Sequence, residues 1–281
     1  MYVVAGPSNP QLSFKIANEL EARIAKTTFK RFPDGELYVR VEDVKEPVIV
    51  VQGITSNDDL VYLLLLLDAL SSLEPILVVP YMGYSRQDKE FLKGEAISIR
   101  IVAKILEDFA KNVITVNIHS NVAASYFKKL IHVDAMPLIG EYFKNKDVIM
   151  ISPDFGSLER VKVAAKVAGC EYDYLEKKRI NAEKVEVKPK ALDVKDKSVV
   201  LVDDIISTGG TLVEAAKVLL NSGAKQIYAA CVHAVLVSNA LNKLYLSGIS
   251  EVIATDTIEK QVSKISVSKI LSEKIKELLK K

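Results

Sequence analysis

Val199-Val200-Leu201-Val202-Asp203-Asp204-Ile205-Ile206-Ser207-Thr208-Gly209-Gly210-Thr211 decides the architecture. The aliphatic run reads as a strand ending at two acids, followed by a small-residue loop and an amphipathic helical stretch over 211–221. A strand, a glycine-containing loop and a helix in that order put the loop at the carboxyl edge of a sheet, where open α/β folds bind ligands. The same alternation runs along the chain. Strands are expected at 2–5, 47–52, 75–80, 113–118 and 131–134, then at 148–152, 198–202, 226–232 and 251–254. Helices are expected at 10–20 with Asn9 as cap and Pro10 in the first turn, from a cap at Asn57, and at 158–167, 211–221 and 238–244. The pattern predicts an α/β protein of two tandem domains with mainly parallel central sheets. The domains are expected over 1–139 and 140–266. Beyond them, 267–281 carries Ile270, Leu271, Ile275, Leu278 and Leu279 at helical spacing and should pack on one of the two.

The 281 residues are 49% hydrophobic and 26% charged, which excludes a disordered or disulfide-stapled chain. Thirty-eight basic against 36 acidic side chains leave a net +2, too little for a nucleic-acid or membrane-surface binder acting through bulk charge. Cationic function must be local. Cys170 and Cys231 have no metal-binding spacing and read as small apolar residues, which suits a reducing cytoplasm. The apolar run 60–67 is too short to span a membrane, and no secretory signal is visible at the N-terminus.

In the opening segment, Gly209 and Gly210 permit close backbone approach. The amides at the following helix start, with the hydroxyls of Ser207, Thr208 and Thr211, form a phosphate cradle. Asp203 and Asp204 would repel phosphate and need another partner: a vicinal diol, whose hydroxyls donate to carboxylates, or a metal ion. The segment resembles the phosphoribosyl pyrophosphate binding loop of the type I phosphoribosyltransferase fold. Neither a Walker loop nor a dinucleotide-binding glycine pattern is present. The loop by itself suits an enzyme that consumes phosphoribosyl pyrophosphate as well as one that makes it.

Three further segments bear on that choice. Arg31-Phe32-Pro33-Asp34-Gly35-Glu36 joins two candidate strands; it is a strong turn signal, and it also offers an aromatic ring to stack on a base and acids to accept from an exocyclic amine. Pro80-Tyr81-Met82-Gly83-Tyr84-Ser85-Arg86-Gln87-Asp88 follows a buried-type strand and presents Arg86 for a purine face or phosphate oxygens. Leu175-Glu176-Lys177-Lys178-Arg179 follows a short strand and offers a basic triplet that could cover negative charge.

Taken together, the segments resemble the ribose-phosphate pyrophosphokinases over nearly the whole chain and in the same order. The resemblance implies two phosphoribosyltransferase-like domains with the C-terminal helix returning to the first. It implies transfer of the pyrophosphoryl group of Mg-ATP to the anomeric hydroxyl of ribose 5-phosphate. Phe32, Asp34 and Glu36 would then hold adenine, from a neighbouring subunit of a homo-oligomer, with Arg86 and Gln87 as further ATP contacts. Lys177 and Arg179 would be the catalytic cations of a loop closing over the phosphates. Asp203, Asp204, Ser207, Thr208, Gly209, Gly210 and Thr211 would bind ribose 5-phosphate. His119 and Asp154, each at the end of a strand, correspond to the family's magnesium-associated His and Asp, with His119 serving the Mg-ATP site. One departure is Ser207, where the family's loop often carries Asp. The alternatives are a phosphoribosyltransferase consuming the product, disfavoured by the tandem domains and the 32–36 and 86–88 segments, and a noncatalytic regulatory subunit of a synthetase.

Overall fold

The computed structural model describes residues 1–179, 185–189 and 193–280, with the backbone alone at 177–179 and 185–189. Its first half contains β1 (Tyr2–Ala5), α1 (Pro10–Glu19), β2 (Arg23–Ile24), β3 (Lys26–Arg31), β4 (Leu37–Glu42), β5 (Val48–Val51), α2 (Asn57–Ala69), β6 (Ile76–Val79), α3 (Ser98–Phe109), β7 (Asn112–Val116), α4 (Asn121–Ser125) and β8 (Leu130–Val133). There follow α5 (Met136–Phe143), β9 (Ile149–Ser152), α6 (Leu158–Ala168), β10 (Tyr172–Arg179), β11 (Val185–Pro189), β12 (Ser198–Ile206), α7 (Gly210–Asn221), β13 (Gln226–Ala234), α8 (Ala240–Leu246), β14 (Ile249–Thr255), β15 (Ser263–Ile265) and α9 (Ser268–Leu279).

The chain forms two α/β units. The first comprises Met1–Asp134, Thr257–Glu259 and Ser266–Lys281, the second Ala135–Asp256 and Lys260–Ile265. In the first, strand order is β2-β1-β5-β6-β7-β8, every neighbour parallel, with β3 and β4 as a separate antiparallel hairpin. In the second the order is β11-β10-β9-β12-β13-β14-β15, parallel except for β10 against β11. β5, β6 and β9 are buried at every residue, which explains their unbroken aliphatic sequences: helices cover both faces of a parallel sheet.

Several expected details are corrected. The boundary lies at 134/135 rather than 139/140, because α5 packs on α6 in the second unit. Ser56, not Asn57, caps α2, its hydroxyl accepting from the Asp59 amide at 3.1 Å. Asn9 does not cap α1 with its side chain. Its Oδ1 accepts the Gly53 N–H at 2.7 Å and its Nδ2 donates to the Thr257 carbonyl at 3.1 Å. The α1 N-terminus is met instead by Glu259, whose Oε1 accepts the Leu12 N–H at 2.7 Å. Residues 257–259 thereby belong to the first unit, as does α9, which buries Leu271 and Ile275 and packs against α1.

Gly140 sets the spacing of α5 and α6: a Cβ there would lie 2.2 Å from the Ala164 carbonyl oxygen. Overpacking of this kind costs about 1–3 kcal/mol. Gly140→Ala should therefore lower the unfolding midpoint measured by calorimetry, and an unchanged midpoint would mean that the two helices separate without cost.

Candidate active site

In the second unit strand order reverses between β9 and β12, with β10 and β11 on one side and β13 to β15 on the other. Connections leaving the carboxyl edge at such a reversal diverge and open a crevice. β12 pairs with β9 only at 199–201 but continues beside β13, placing Asp203 opposite Cys231 and Ile205 opposite His233. The expected strand end at the two acids is thus corrected. Asp203 and Asp204 project from strand backbone, on the part of β12 that has outrun β9.

The segment after β9 reaches both acids. Ser157 Oγ donates to Asp203 Oδ1 at 2.9 Å, and the Asp204 amide donates to the same oxygen at 2.8 Å. Burial, reinforced by the adjacent Asp204 carboxylate, pushes the Asp203 carboxyl up to about 7. Asp204 is only 4% exposed and pairs with the Arg160 guanidinium at 3.3 Å. Asp154, at the end of β9, is exposed; its Oδ1 accepts the Ser157 N–H at 3.2 Å, and its carbonyl accepts from Ser152 Oγ at 2.6 Å. A chain of contacts therefore runs from Asp154 through Ser157 to Asp203.

Beyond Ile206 the loop is fixed by the Leu236 N–H donating to the Ile206 carbonyl at 3.0 Å and the Val237 N–H donating to the Ser207 carbonyl at 3.2 Å. Gly209 takes φ +77° with Leu244 3.3 Å from where a Cβ would sit, so both conformation and space call for glycine. α7 then begins with no side-chain cap and no acid in its first turn. Thr208, Gly210 and Thr211 are exposed and Ser207 half-buried. An uncapped helix start with hydroxyls around it suits an anion.

The basic segment is placed differently from its expected loop. Backbone pairing puts Lys177 and Arg179 in β10, opposite Val187 and Val185 of β11. Their side chains lie outside the described residues.

In the first unit, Phe32, Asp34 and Glu36 occupy the tip of the β3–β4 hairpin. The Phe32 N–H donates to the Glu36 carbonyl at 2.8 Å, the Gly35 N–H to the Phe32 carbonyl at 2.9 Å, and the Glu36 N–H to Asp34 Oδ1 at 3.2 Å. The turn reading and the adenine reading of this segment are thus compatible: the turn is formed, and it leaves both acids exposed and the Phe32 ring 47% exposed, edge-on to Tyr38 at 6.1 Å. The first turn of α2 ties this hairpin to the segment after β6. Asp58 pairs with Arg31, and Asn57 Oδ1 accepts from the Tyr84 hydroxyl. Arg86 is exposed; Gln87 Nε2 donates to the Lys89 carbonyl at 3.1 Å and to Glu95 at 3.2 Å. Asp88 accepts from the Ser120 hydroxyl, which brings the 86–88 segment to His119, a half-buried residue beyond β7. Sequence reading missed Asn57, Asp58, Asp88, Ser157 and Arg160 as organisers; Asp88 stood in the 80–88 segment without a role, the others stood outside the motif segments, and each acts through contacts made by folding.

Mg²⁺ takes oxygen donors and retains several waters and substrate oxygens. Among the described residues no group of three or more His, Cys, Asp or Glu could hold a metal ion. The exposed Asp154 carboxylate nevertheless fits an ion that draws most of its ligands from water and phosphate.

A family model described as the N-terminal domain of ribose phosphate pyrophosphokinase matches residues 1–109, and one described as a phosphoribosyl transferase domain matches residues 129–264. Ribose-phosphate pyrophosphokinase 2 of Archaeoglobus fulgidus is 56% identical over 275 residues, covering 98% of this chain and all of that one. The ribose-phosphate pyrophosphokinase of Methanopyrus kandleri is 41% identical over 289 aligned positions, with 99% of each chain covered. A crystal structure of phosphoribosylpyrophosphate synthetase from Mycobacterium smegmatis matches with TM-score 0.85 at 27% identity, over 99% of this chain and 98% of that one. With family models on both units and relatives aligned from end to end, the chain belongs to the ribose-phosphate pyrophosphokinase family.

Proposed function

We propose that the chain makes 5-phosphoribosyl 1-pyrophosphate and AMP from ATP and ribose 5-phosphate. The observation that carries this reading is the uncapped start of α7 beside two carboxylates at the β9/β12 crevice. The first suits the 5-phosphate and the second the sugar hydroxyls. In the reaction the anomeric oxygen attacks the β-phosphorus, the bond from that phosphorus to the α,β-bridging oxygen breaks, and AMP leaves carrying the bond's electrons. Catalysis of such a step rests on alignment and on positive charge at the phosphoryl oxygens.

Asp203 and Asp204 orient the sugar, while Ser207, Thr208, Gly209, Gly210 and Thr211 hold its phosphate. Phe32 stacks on adenine, Asp34 and Glu36 accept from the base, and Arg86 and Gln87 hold the nucleotide. Lys177 and Arg179 neutralise the transferring phosphates. Asp154, and His119 on the nucleotide side, would hold Mg²⁺, which when bound screens phosphate charge. The exposed Phe32 ring supports an ATP site completed by a second copy, hence a homo-oligomer, working in the cytoplasm.

Incubation with ATP, ribose 5-phosphate and Mg²⁺ should yield AMP and phosphoribosyl pyrophosphate in equal amounts. Binding of both substrates without either product would identify a noncatalytic subunit instead, and consumption of phosphoribosyl pyrophosphate with a nucleobase would identify a phosphoribosyltransferase. Lys177→Ala should lower kcat by about 10²- to 10³-fold at saturating substrates, the usual loss of one preorganised electrostatic donor; near-normal turnover would remove Lys177 from the reaction.

The raised Asp203 carboxyl adds a pH dependence. An acid whose folded pKa is about 7 and whose ordinary value is 3.8 binds more protons folded than unfolded between those values. Stability therefore falls as pH rises through that window. Asp203→Asn abolishes this loss, so its melting temperature relative to the unsubstituted protein should be higher at pH 8 than at pH 5. An equal difference at the two pH values would show that Asp203 titrates normally.

A further inference from the structure

We infer that Ser157 and Arg160 are positioning residues that hold Asp203 and Asp204 in two different roles for sugar recognition. The inference rests on the reading that these acids bind ribose 5-phosphate. Both residues come from the segment after β9, beside the part of β12 that outruns β9. They are coupled in backbone too, the Arg160 N–H donating to the Ser157 carbonyl at 3.1 Å. A single short element thus reaches both acids, one through a hydroxyl and the other through a guanidinium.

The consequences for the two acids differ. Asp204 is almost fully buried, and a carboxylate removed from water stays ionised only beside a cation with suitable hydrogen bonds. Arg160, with its side chain 30% exposed, supplies that cation from the edge of the site. Asp203 has no such partner among its contacts described above. Its Oδ1 is occupied by two neutral donors, the Ser157 hydroxyl and the Asp204 amide. A sugar hydroxyl must then be met by its second oxygen. Ser157 fixes which oxygen that is, and it is itself 6% exposed and anchored through its N–H to Asp154. Neither Ser157 nor Arg160 needs to touch the sugar; each acts by presenting a carboxylate.

Steady-state kinetics on the full-length protein, varying ribose 5-phosphate and ATP separately, test this. Arg160→Gln should raise the KM for ribose 5-phosphate by about 10- to 100-fold, the range for a lost hydrogen bond to a charged group, and leave the KM for ATP unchanged. Arg160→Lys keeps the charge without the planar fork and should recover part of the loss. Ser157→Ala deletes one oxygen and should raise the same KM by about 3- to 10-fold, with an unchanged melting temperature showing that the fold is intact. If Arg160 works through Asp204, the double variant Arg160→Gln/Asp204→Asn should be no worse than Asp204→Asn alone. A normal KM for ribose 5-phosphate in Arg160→Gln and Ser157→Ala, alongside a raised one in Asp204→Asn, would overturn the positioning roles and spare the binding reading. Additive losses in the double variant would also overturn them. A normal KM in Asp203→Asn and Asp204→Asn would overturn the binding reading itself.

Discussion

A parallel sheet buried on both faces leaves its carboxyl edge as the place where polar chemistry can gather, and a reversal of strand order opens a crevice on that edge. Each unit has one such reversal, between β1 and β5 in the first and between β9 and β12 in the second. What fills the crevice separates the two units. In the first, the helix starts are satisfied by the protein. Glu259 accepts from the Leu12 amide at the start of α1. At α2, Ser56 caps the helix, and Asp59 accepts from the Thr55 amide at 3.0 Å and from its hydroxyl at 2.5 Å. Asn9 closes the remaining gap by bridging Gly53 and Thr257. In the second unit the helix following the central strand, α7, has neither cap nor acid in its first turn. The same backbone plan thus carries helix starts met by the protein's own side chains in one unit and a helix start without cap or acid in the other, and the difference resides in a handful of side chains.

The acids beside α7 pose the opposite electrostatic problem. Two carboxylates in successive strand positions repel each other, and burial penalises both charged forms. Arg160 relieves the repulsion at Asp204, while Asp203 shifts upward. The two acids are thus held differently: Asp204 beside a cation, Asp203 beside two neutral donors. Cys231, opposite Asp203 on β13, is fully buried and its thiol is also pushed up by burial, so it adds no competing anion to the site.

Most of the fold was legible because it depends on local pattern. β-branched runs ended by Gly, Pro or polar residues mark the strands, and Pro10 and the glycines mark helix limits. The strand, loop and helix around 203–211 were legible for the same reason: their residues are contiguous. What remained hidden depends on contacts between distant residues. Asn9 has the identity of a cap but is drawn off by Gly53 and by Thr257, which is 248 positions away. Asp58 stands in the first turn of α2, and its partner is Arg31 on the hairpin, a pairing that spacing along the chain does not reveal. The length of β12 could not be read from Asp203 and Asp204, since acids are poor strand formers; β13 extends the pairing to Ile206 and overrides that preference. The family resemblance implies a loop at Lys177 and Arg179, but antiparallel pairing with β11 sets their backbone as strand.

Ser207 follows from the same electrostatics. The family's loop often has an acid here, and in this chain a third carboxylate would stand three residues beyond a pair of which Arg160 meets only Asp204 among the described contacts. It would also sit next to the exposed start of α7, where a phosphate gains from amides and loses from every nearby negative charge. A hydroxyl at 207 brings a hydrogen-bond donor to the loop without that repulsion. The carbonyl of Ser207, fixed by the Val237 amide, keeps the loop in place whatever side chain it carries. With serine the segment divides into an acidic half on β12 and, at the start of α7, a half without acids, a polarity that suits a ligand with hydroxyls at one end and an anion at the other.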